Sequence, residues 1–232
     1  MRLAVIPARG GSKRIARKNI KFFYGKPIIS YAIDVAIRSF LFDHVIVSTD
    51  DQEIARVAIE CGAEVPFFRP QELADDYTPT IPVIAHAIKA CQVIGWEVQT
   101  VCCIYPAVPF ISIADLSAAY EQLLATNAHY VFPVTRFSSP IQRALRRQAD
   151  GTIRPFQPEY AAIRTQDLEP SYFDVGQFYW GKSMAWLEGL SPHMSGSAIV
   201  IPEWRVVDID TPADWERAEL LYGNFSARGM LL

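Results

Sequence analysis

Short apolar segments alternate with amphipathic helical segments along most of the chain, and this alternation constrains the fold more than any other feature. The apolar segments have the length of buried strands, and the segments between them carry apolar residues at the spacing of one helical face. Strands are predicted at residues 2–7, 44–49, 64–68, 100–105, 130–134 and 206–209, and helices at residues 29–40, 53–62, 81–88, 116–124 and 212–221. The pattern predicts a Rossmann-like α/β fold, a three-layer sandwich around a mixed, mainly parallel sheet.

The alternation stops near Thr135, and residues 136–175 carry four prolines among many polar side chains. A long irregular segment in a compact domain is usually a lid, a substrate loop or an oligomer contact. We therefore expect an excursion here instead of a core element, with regular structure resuming at Gly176 and Thr211 capping the last helix. Because no repeat or linker interrupts the sequence, residues 1–232 are expected to form a single domain.

The composition and charge of the chain exclude several classes of protein. Half of the residues are hydrophobic and 20% are charged, which is a globular and not a disordered composition. A net charge of −3 argues against a non-specific nucleic-acid binder. The four cysteines lack the spacing of a zinc site or a disulfide framework and are expected to be reduced core thiols. No signal peptide and no apolar run of membrane-spanning length is evident, so we expect a cytoplasmic protein without a membrane partner.

A basic, glycine-containing loop follows the first predicted strand, in the run IPARGGSKR and the pair Lys18-Asn19. The first 26 residues contain eight Lys and Arg and no Asp or Glu. In a doubly wound sheet this loop lies at the carboxyl edge, where glycines let backbone N–H groups approach phosphate oxygens. The spacing matches neither the ATP-binding P-loop nor the dinucleotide fingerprint. We predict a phosphate site with Arg9, Lys13 and Lys18 around the anion; the alternative is a tight turn with solvated cationic side chains.

Two aspartates, Asp208 and Asp210, alternate in the run VVDIDTP. Alternate side chains of a strand point to one side, which suits the binding of a hard divalent cation at the strand's end. A solvated strand end would account for the same pattern. Mg²⁺ is favoured because it and a triphosphate site require each other chemically.

Polar and aromatic residues form a third candidate group, within and just after the irregular segment. They are Arg164, Gln166, Tyr172, Gln177 and Tyr179. Arginine can hold a carboxylate with two hydrogen bonds, and Tyr and Gln can bond to sugar hydroxyls. Packing or an interface would account for the same residues. The four histidines are not spaced with Ser or Asp as in a hydrolytic triad, so no phosphatase or other hydrolase is predicted.

Four blocks spread over nearly the whole chain share one resemblance. They are IPARGGSKR with Lys18-Asn19, VIVSTDD from Val45, FRPQELADD from Phe68 and VDIDTPAD from Val207. In content and order they resemble the opening signature, second strand, nucleotide loop and metal strand of the cytidylyltransferases that activate nonulosonic acids, a family related to CMP-sialic acid synthetases. The runs CCIYPAVPF from Cys102 and RTQDLEPSYFDVGQFYWG from Arg164 resemble the branch of this family that activates pseudaminic acid.

The departures from the sialic acid enzymes fall where the family meets its sugar. Those enzymes usually carry a Gln and a Pro-Thr-Ser-Pro type sequence where this chain has Tyr105 and residues 106–109. Their Asn-Gly before the late strand is Val175-Gly176 here. The departures favour a sugar other than sialic acid and leave the expected CTP site intact.

The resemblance implies a fold of the nucleotidyltransferase type and a reaction. The anomeric hydroxyl of pseudaminic acid would attack the α-phosphate of CTP, releasing pyrophosphate and giving CMP-pseudaminic acid. The implied catalytic residues are Arg9, Lys18, Asp208 and Asp210, the last two around Mg²⁺. The implied CTP-binding residues are Arg9, Gly10, Gly11, Ser12, Lys13, Lys18, Asn19, Arg69, Thr78 and Thr80. The implied sugar-acid residues are Tyr105, Arg164, Gln166, Gln177 and Tyr179, with Arg164 on the carboxylate.

The resemblance further implies that residues 136–175 are a dimerisation element that reaches into the neighbouring subunit, so that a homodimer shares its sites.

Two alternatives to this function stay open at this point. The sugar could be legionaminic, N-acetylneuraminic or 3-deoxy-manno-octulosonic acid, although Tyr105 favours pseudaminic acid. A non-catalytic anion or nucleic-acid binder is disfavoured because the basic residues cluster on a glycine loop and form no extended stripe with interleaved aromatics.

Overall fold

The computed structural model describes residues 1–229. The strands are β1 Arg2–Pro7, β2 Phe22–Phe23, β3 Lys26–Pro27, β4 His44–Ser48, β5 Thr100–Ile104, β6 Tyr130–Arg136, β7 Leu145–Arg147, β8 Ile153–Pro155, β9 Tyr172–Asp174, β10 Phe178–Lys182 and β11 Gly196–Val200. The α-helices are α1 Ile29–Arg38, α2 Gln52–Glu60, α3 Thr80–Val93, α4 Ile113–Ala125, α5 Ser183–Leu187, α6 Pro192–Ser195 and α7 Pro212–Ala227.

A seven-stranded mixed sheet forms the centre of the molecule. Its strand order is β11-β6-β10-β5-β1-β4, and β9 pairs with β6 off this path. Strand β1 lies parallel to both neighbours, with Val5 opposite Ile46 on one side and Cys103 on the other. Strand β10 is antiparallel to β5 and β6, and β9 is antiparallel to β6, whereas the remaining strands share one direction. The predicted mixed, mainly parallel sheet is therefore confirmed.

Helices cover both faces of this sheet. On one face α1, α2 and α4 bury apolar side chains such as Ile33, Ile54 and Leu116 against the sheet. On the other face α3 and α5 do the same through residues such as Ile88 and Trp186. This arrangement is the expected three-layer sandwich, because each helix buries the apolar stripe that its sequence carries.

The predicted strand at residues 64–68 is wrong. Glu64 makes one isolated parallel bridge to Ile46, and the chain then leaves the sheet. Pro66 follows two residues later and has no N–H to donate to a ladder. Strand β4 is consequently the edge of the sheet on this side.

The predicted last core strand at residues 206–209 is also wrong. The segment has no regular secondary structure and pairs with no strand among residues 1–229. Its apolar residues Val207 and Ile209 instead pack with Phe23 and Trp215 in a separate small core. The edge position next to β6 is taken by β11, whose half-exposed residues lack the continuous apolar run of a central strand.

The excursion at residues 136–175 is largely irregular, as expected. It contains the hairpin β7–β8 and short 3₁₀ turns, and it returns to the sheet through β9, which pairs with the end of β6. Regular structure resumes just after Gly176, with β10. Thr211 caps α7 in a capping box with Asp214, as the sequence predicts. None of the helices within residues 1–229 has the length and apolar character needed to cross a membrane.

Candidate active site

A cavity of about 930 Å³ opens beyond the carboxyl ends of β1 and β5. It is the place where open α/β sheets bind ligands. Most of the residues singled out from the sequence line it, namely Arg9, Ser12, Lys13, Lys18, Asn19, Arg69, Thr78, Thr80, Tyr105, Gln177, Tyr179, Asp208 and Asp210. The fold thus gathers residues that are up to two hundred positions apart in the sequence.

The glycine loop is fixed to the start of α2. The N–H of Gly10 donates to Asp50 at 3.0 Å. A Cβ placed on Gly10 would lie 2.7 Å from an oxygen of Asp51, so the loop needs glycine here to come this close. Asp51 caps α2 by accepting from the N–H of Ile54, and it is held by two hydrogen bonds from Arg17 of 2.6 and 2.9 Å. Gly10 therefore shapes the loop, and neither Gly10 nor Gly11 lines the cavity.

Two aspartates contact the cationic side chains with which the basic loop lines the cavity. The four cationic residues are Arg9, Lys13, Arg14 and Lys18, and the two aspartates are Asp76 and Asp210. Asp76 bridges Arg9, at 2.5 Å, and Lys13. Arg14 lies 3.0 Å from Asp210. This concentration of positive charge at the edge of a sheet suits an anionic ligand, and it lies where the sequence predicts a phosphate site. Sequence reasoning missed Arg14 and Asp76, although Asp76 stands in the block FRPQELADD that it used.

Lys18 connects the loop to the segment that carries the two aspartates. Its ammonium group donates to the carbonyl oxygen of Ile209 at 2.7 Å and lies 3.4 Å from Asp210. The contact spans 191 residues of sequence. It brings Asp208 and Asp210 to the same cavity as the basic loop even though their segment is not a strand.

Asn19 and Arg69 form the buried floor on the side of β1 and β4. Asn19, 6% exposed, donates its side-chain amide to the carbonyl oxygen of Arg9 at 2.9 Å. Arg69, also 6% exposed, donates to the hydroxyl and carbonyl oxygens of Ser48. Burial lowers the pKa of Arg69 to about 10, so the guanidinium stays charged at neutral pH. A buried cation beside the cavity favours ligands with anionic or carbonyl oxygens.

The two aspartates form the acidic part of the cavity. Burial, and next the neighbouring carboxylate of Asp210, raise the pKa of Asp208. A cation between such carboxylates would relieve their repulsion. Among residues 1–229 no group of three or more His, Cys, Asp or Glu side chains is placed to hold a metal. Two carboxylates nevertheless suit Mg²⁺, which usually takes one or two carboxylates together with substrate phosphates.

Aromatic and amide side chains line the opposite end of the cavity. Tyr105 and Tyr179 meet edge to face with ring centres 6.0 Å apart. The Tyr105 hydroxyl lies 2.7 Å from the hydroxyl of Thr80, which ties this end to α3. Gln177 precedes β10, and its carbonyl oxygen accepts from the N–H of Tyr105 at 3.0 Å. Sequence reasoning missed Asp174, which also lines the cavity and accepts from the Tyr179 hydroxyl at 2.6 Å.

The two predicted sugar-binding residues of the excursion lie outside the cavity. Arg164 and Gln166 are exposed, lie side by side at a 3₁₀ turn and do not line the cavity of the same chain. Tyr172, on β9, is 45% exposed. These three side chains are thus presented on the outer surface of residues 136–175.

Comparison with known proteins decides the family. The sequence model of the cytidylyltransferase family, described as "Cytidylyltransferase", matches residues 3–148. This chain belongs to the cytidylyltransferase family. The matched range contains the basic loop, the nucleotide-loop block and Tyr105. It ends before Gln177, Tyr179 and the two cavity aspartates.

Two relatives that match nearly the whole chain narrow the comparison to a branch of the family. It is 43% identical over 223 residues to the pseudaminic acid cytidylyltransferase of Campylobacter jejuni, covering 95% of each chain. It is 30% identical over 229 residues to the CMP-N,N'-diacetyllegionaminic acid synthase of Legionella pneumophila, covering 94% of this chain and 95% of the relative. The predicted family and its pseudaminic acid branch are confirmed.

Solved structures agree on the fold. A CMP:2-keto-3-deoxy-manno-octonic acid synthetase complexed with CTP superposes with a TM-score of 0.70, at 16% identity, covering 96% of this chain and 98% of the other. The nucleotidyltransferase type of fold expected for this cytidylyltransferase is therefore confirmed. At this low identity the likeness is one of fold.

Proposed function

We propose that this cytidylyltransferase transfers CMP from CTP to the anomeric hydroxyl of pseudaminic acid and releases pyrophosphate. The observation that carries the proposal is its 43% identity, over 95% of both chains, to a pseudaminic acid cytidylyltransferase. The cavity supports it chemically, because cationic side chains occupy one end and aromatic and amide side chains the other. A triphosphate suits the first end and a sugar the second.

The basic loop supplies most of the proposed contacts to the phosphates of the nucleotide. Arg9 and Lys18 are the proposed catalytic cations, and Ser12 and Lys13 complete the phosphate site. Phosphoryl transfer of this kind needs alignment of the attacking oxygen with the leaving pyrophosphate and neutralisation of charge on the phosphates. Individual fixed donors of this kind are worth about 3 to 4 kcal/mol in enzymes. We place cytidine against Asn19, Arg69, Thr78 and Thr80, which line the same cavity.

Asp208 and Asp210 are the residues that would hold Mg²⁺. Bound there, the metal would supply charge neutralisation on the CTP phosphates. Lys18 and Arg14 contact Asp210 and so hold its carboxylate beside the phosphate site. The acceptor of the proton from the sugar hydroxyl is left unassigned.

A homodimer with shared sites is part of the proposal. Residues 136–175 expose apolar side chains of a kind that usually marks an interface, namely Ile141, Leu145, Ile153, Phe156 and Ile163. Arg164 and Gln166 lie on the same excursion, outside the cavity of their own chain. We place Arg164 of one copy over the cavity of the other, where its guanidinium would bind the carboxylate of the sugar acid.

A cytoplasmic location belongs to the same proposal. The four cysteines are free, and three of them are buried. Burial raises the pKa of the Cys91 thiol to about 11, so this thiol is protonated and unreactive at neutral pH. Buried free thiols are typical of proteins from reducing compartments.

The test uses the purified protein with Mg²⁺, CTP and one sugar acid at a time, following pyrophosphate release and the mass of the product. The sugar acids are pseudaminic, legionaminic, N-acetylneuraminic and 3-deoxy-manno-octulosonic acid. Release with pseudaminic acid at the highest kcat/KM supports the proposal. Faster release with another sugar acid would retain the chemistry and overturn the sugar. No release with any of them would reject the catalytic assignment in favour of a non-catalytic anion binder.

A further inference from the structure

Asp174 occupies a position that the proposed reaction does not use. It is the last residue of β9 and lines the cavity at the sugar end. One of its carboxylate oxygens, Oδ2, accepts from the Tyr179 hydroxyl at 2.6 Å. The other, Oδ1, accepts from the N–H of Gly176 at 2.9 Å and so fixes the turn that leads into β10.

The direction of the hydrogen bond between Tyr179 and Asp174 is set by chemistry. An ionised carboxylate can only accept, so the phenol must donate its proton to Asp174. Burial, and next the hydrogen bond to Asp174, raise the pKa of Tyr179 far above its usual value, and the phenol remains protonated. Since its one proton is committed, the Tyr179 oxygen can offer a ligand only acceptor capacity.

Gln177 offers a second acceptor on the same side of the chain. It precedes Tyr179 by two residues, the spacing at which side chains of an extended segment point the same way. Gln177 is 4% exposed, and its amide nitrogen donates to the carbonyl oxygen of Arg205 at 3.0 Å. Its Oε1 is buried and has no hydrogen-bond partner among residues 1–229. A buried acceptor left unpaired is costly, so a ligand that supplies a donor is favoured here.

We propose that Asp174 is a positioning residue that holds Tyr179 as an acceptor, so that Tyr179 and Gln177 receive the N–H groups of acylamido substituents on the sugar acid. Such substituents are the N-acetyl groups in the name of the Legionella relative, a CMP-N,N'-diacetyllegionaminic acid synthase. The inference rests on the proposed function, since it concerns the sugar of that reaction. An amide N–H can only donate, which makes it the complement of a wall that can only accept. The sugar's carboxylate can only accept, and it is therefore directed away from this wall towards cationic groups.

The variant Asp174→Asn tests the direction of the hydrogen bond with little change of shape. Its Oδ1 can still accept from Gly176, which turns the NH₂ group towards Tyr179. Tyr179 must then accept from that NH₂ and points its own proton into the cavity. We expect the KM for pseudaminic acid to rise roughly tenfold, while the KM for CTP stays within about twofold.

A double-mutant cycle with Tyr179→Phe separates positioning from a general structural role. Tyr179→Phe removes the acceptor and should raise the KM for the sugar to a similar extent. Asp174→Asn should then add little in the Tyr179→Phe background, because its effect passes through that hydroxyl. A structural role for Asp174 would instead cause the same loss in both backgrounds.

His193→Ala is the matched control. The His193 ring lies 2.7 Å from the same Oδ2 of Asp174, but its side chain is 64% exposed and does not line the cavity. Its loss should leave the KM for pseudaminic acid within about twofold, as for other exposed ion pairs.

The possible outcomes separate failure of this inference from failure of the proposed function. An active wild-type protein whose sugar KM is unchanged by Asp174→Asn, or a double variant whose losses add fully, overturns the inference alone. A wild-type protein that releases no pyrophosphate with pseudaminic acid rejects the proposed function, and the inference with it.

Discussion

The guanidinium of Arg9 lies 2.5 Å from a carboxylate oxygen of Asp76, and Lys13 contacts the other oxygen of the same carboxylate. Both cations are proposed to bind the triphosphate of CTP. Asp76 and the nucleotide would therefore compete for the same positive charges. Hydrogen bonds from Lys13, and next from Arg9, hold the pKa of Asp76 below its usual range, so the competing carboxylate is ionised at neutral pH.

Removing this negative charge should strengthen CTP binding. We expect Asp76→Asn to lower the KM for CTP by roughly threefold at low salt, with a smaller effect at high salt because exposed charges are screened. Initial rates at varied CTP give the value. Asp34→Asn is the control, since it removes the same charge from an exposed pair with Arg38 on α1. A rise in the CTP KM of Asp76→Asn would show that Asp76 positions the two cations instead of competing for them.

Local patterns in the sequence were sufficient for the elements next to the basic loop. Strands β1, β4 and β5 are short, continuous apolar runs, and α1 carries a regular apolar stripe. β11 was missed because its half-exposed edge position leaves no such run. The segment at 206–209 has the alternation of a strand, but its apolar residues pack on Trp215, and no local pattern reveals that choice.

For the candidate site too, local patterns were sufficient for some residues and not for others. Arg9, Lys13 and Lys18 were found because they stand together in one block beside a predicted strand. Their ion-pair partners were not predicted, because Asp76 comes into contact with Arg9 only after the chain has passed through β4 and α2. Asp174 lies only five residues before Tyr179, but no pattern in the sequence shows that its carboxylate accepts from that hydroxyl. Contacts between distant segments depend on topology, which a residue pattern does not contain.

Gly10 should be intolerant of any side chain. Its Cβ would lie 2.7 Å from an oxygen of Asp51 and 3.1 Å from its Cβ, and Asp51 cannot move freely because Arg17 and the N-terminus of α2 hold it. We expect Gly10→Ala to destabilise the protein by about 1 to 3 kcal/mol and to raise the KM for CTP. Urea unfolding and initial rates measure the two effects.

Gly11→Ala provides the comparison for stability. A Cβ there would meet only the end of the Arg9 side chain, at 4.0 Å. Its free energy of unfolding should stay within about 0.5 kcal/mol of the wild-type value. Equal destabilisation by the two substitutions would contradict the close contact between Gly10 and Asp51.

The pair Arg17–Asp51 should make stability depend on pH. Hydrogen bonds from Arg17 lower the pKa of Asp51 to about 2. A depressed carboxyl pKa stabilises the fold above the ordinary value of about 4, and this stabilisation is lost as the pH falls towards about 2. Asp51→Asn retains an acceptor for the α2 cap and should cost about 1 kcal/mol at neutral pH.

Urea unfolding of the wild type and of Asp51→Asn between neutral pH and about pH 3 tests this dependence. The difference between the two free energies of unfolding should shrink as the pH falls. Asp34→Asn, on its exposed helix pair, should show almost no difference at either pH. Identical stabilities of wild type and Asp51→Asn at neutral pH would mean that the pair contributes nothing to the fold.

Arg164 should act on the cavity of the other copy in a dimer. Arg164→Ala is expected to raise the KM for pseudaminic acid at least tenfold, because a charge-assisted bidentate contact is lost, and to leave the KM for CTP nearly unchanged. Asp210→Ala should abolish turnover in its own cavity without loss of cooperative unfolding. The two variants can then be combined in heterodimers isolated by two different affinity tags.

The pattern of activity in these heterodimers identifies which copy supplies Arg164. If the site is shared, a heterodimer of Arg164→Ala with Asp210→Ala contains one intact site and should regain about half of the wild-type activity. A heterodimer of the wild type with the double variant Arg164→Ala/Asp210→Ala should contain no intact site. If Arg164 served its own cavity, the two results would be exchanged, and if only monomers formed, no heterodimer could be isolated. Measured at a sugar concentration well below the raised KM of Arg164→Ala, the reciprocal pairing thus distinguishes a shared site from a self-contained one.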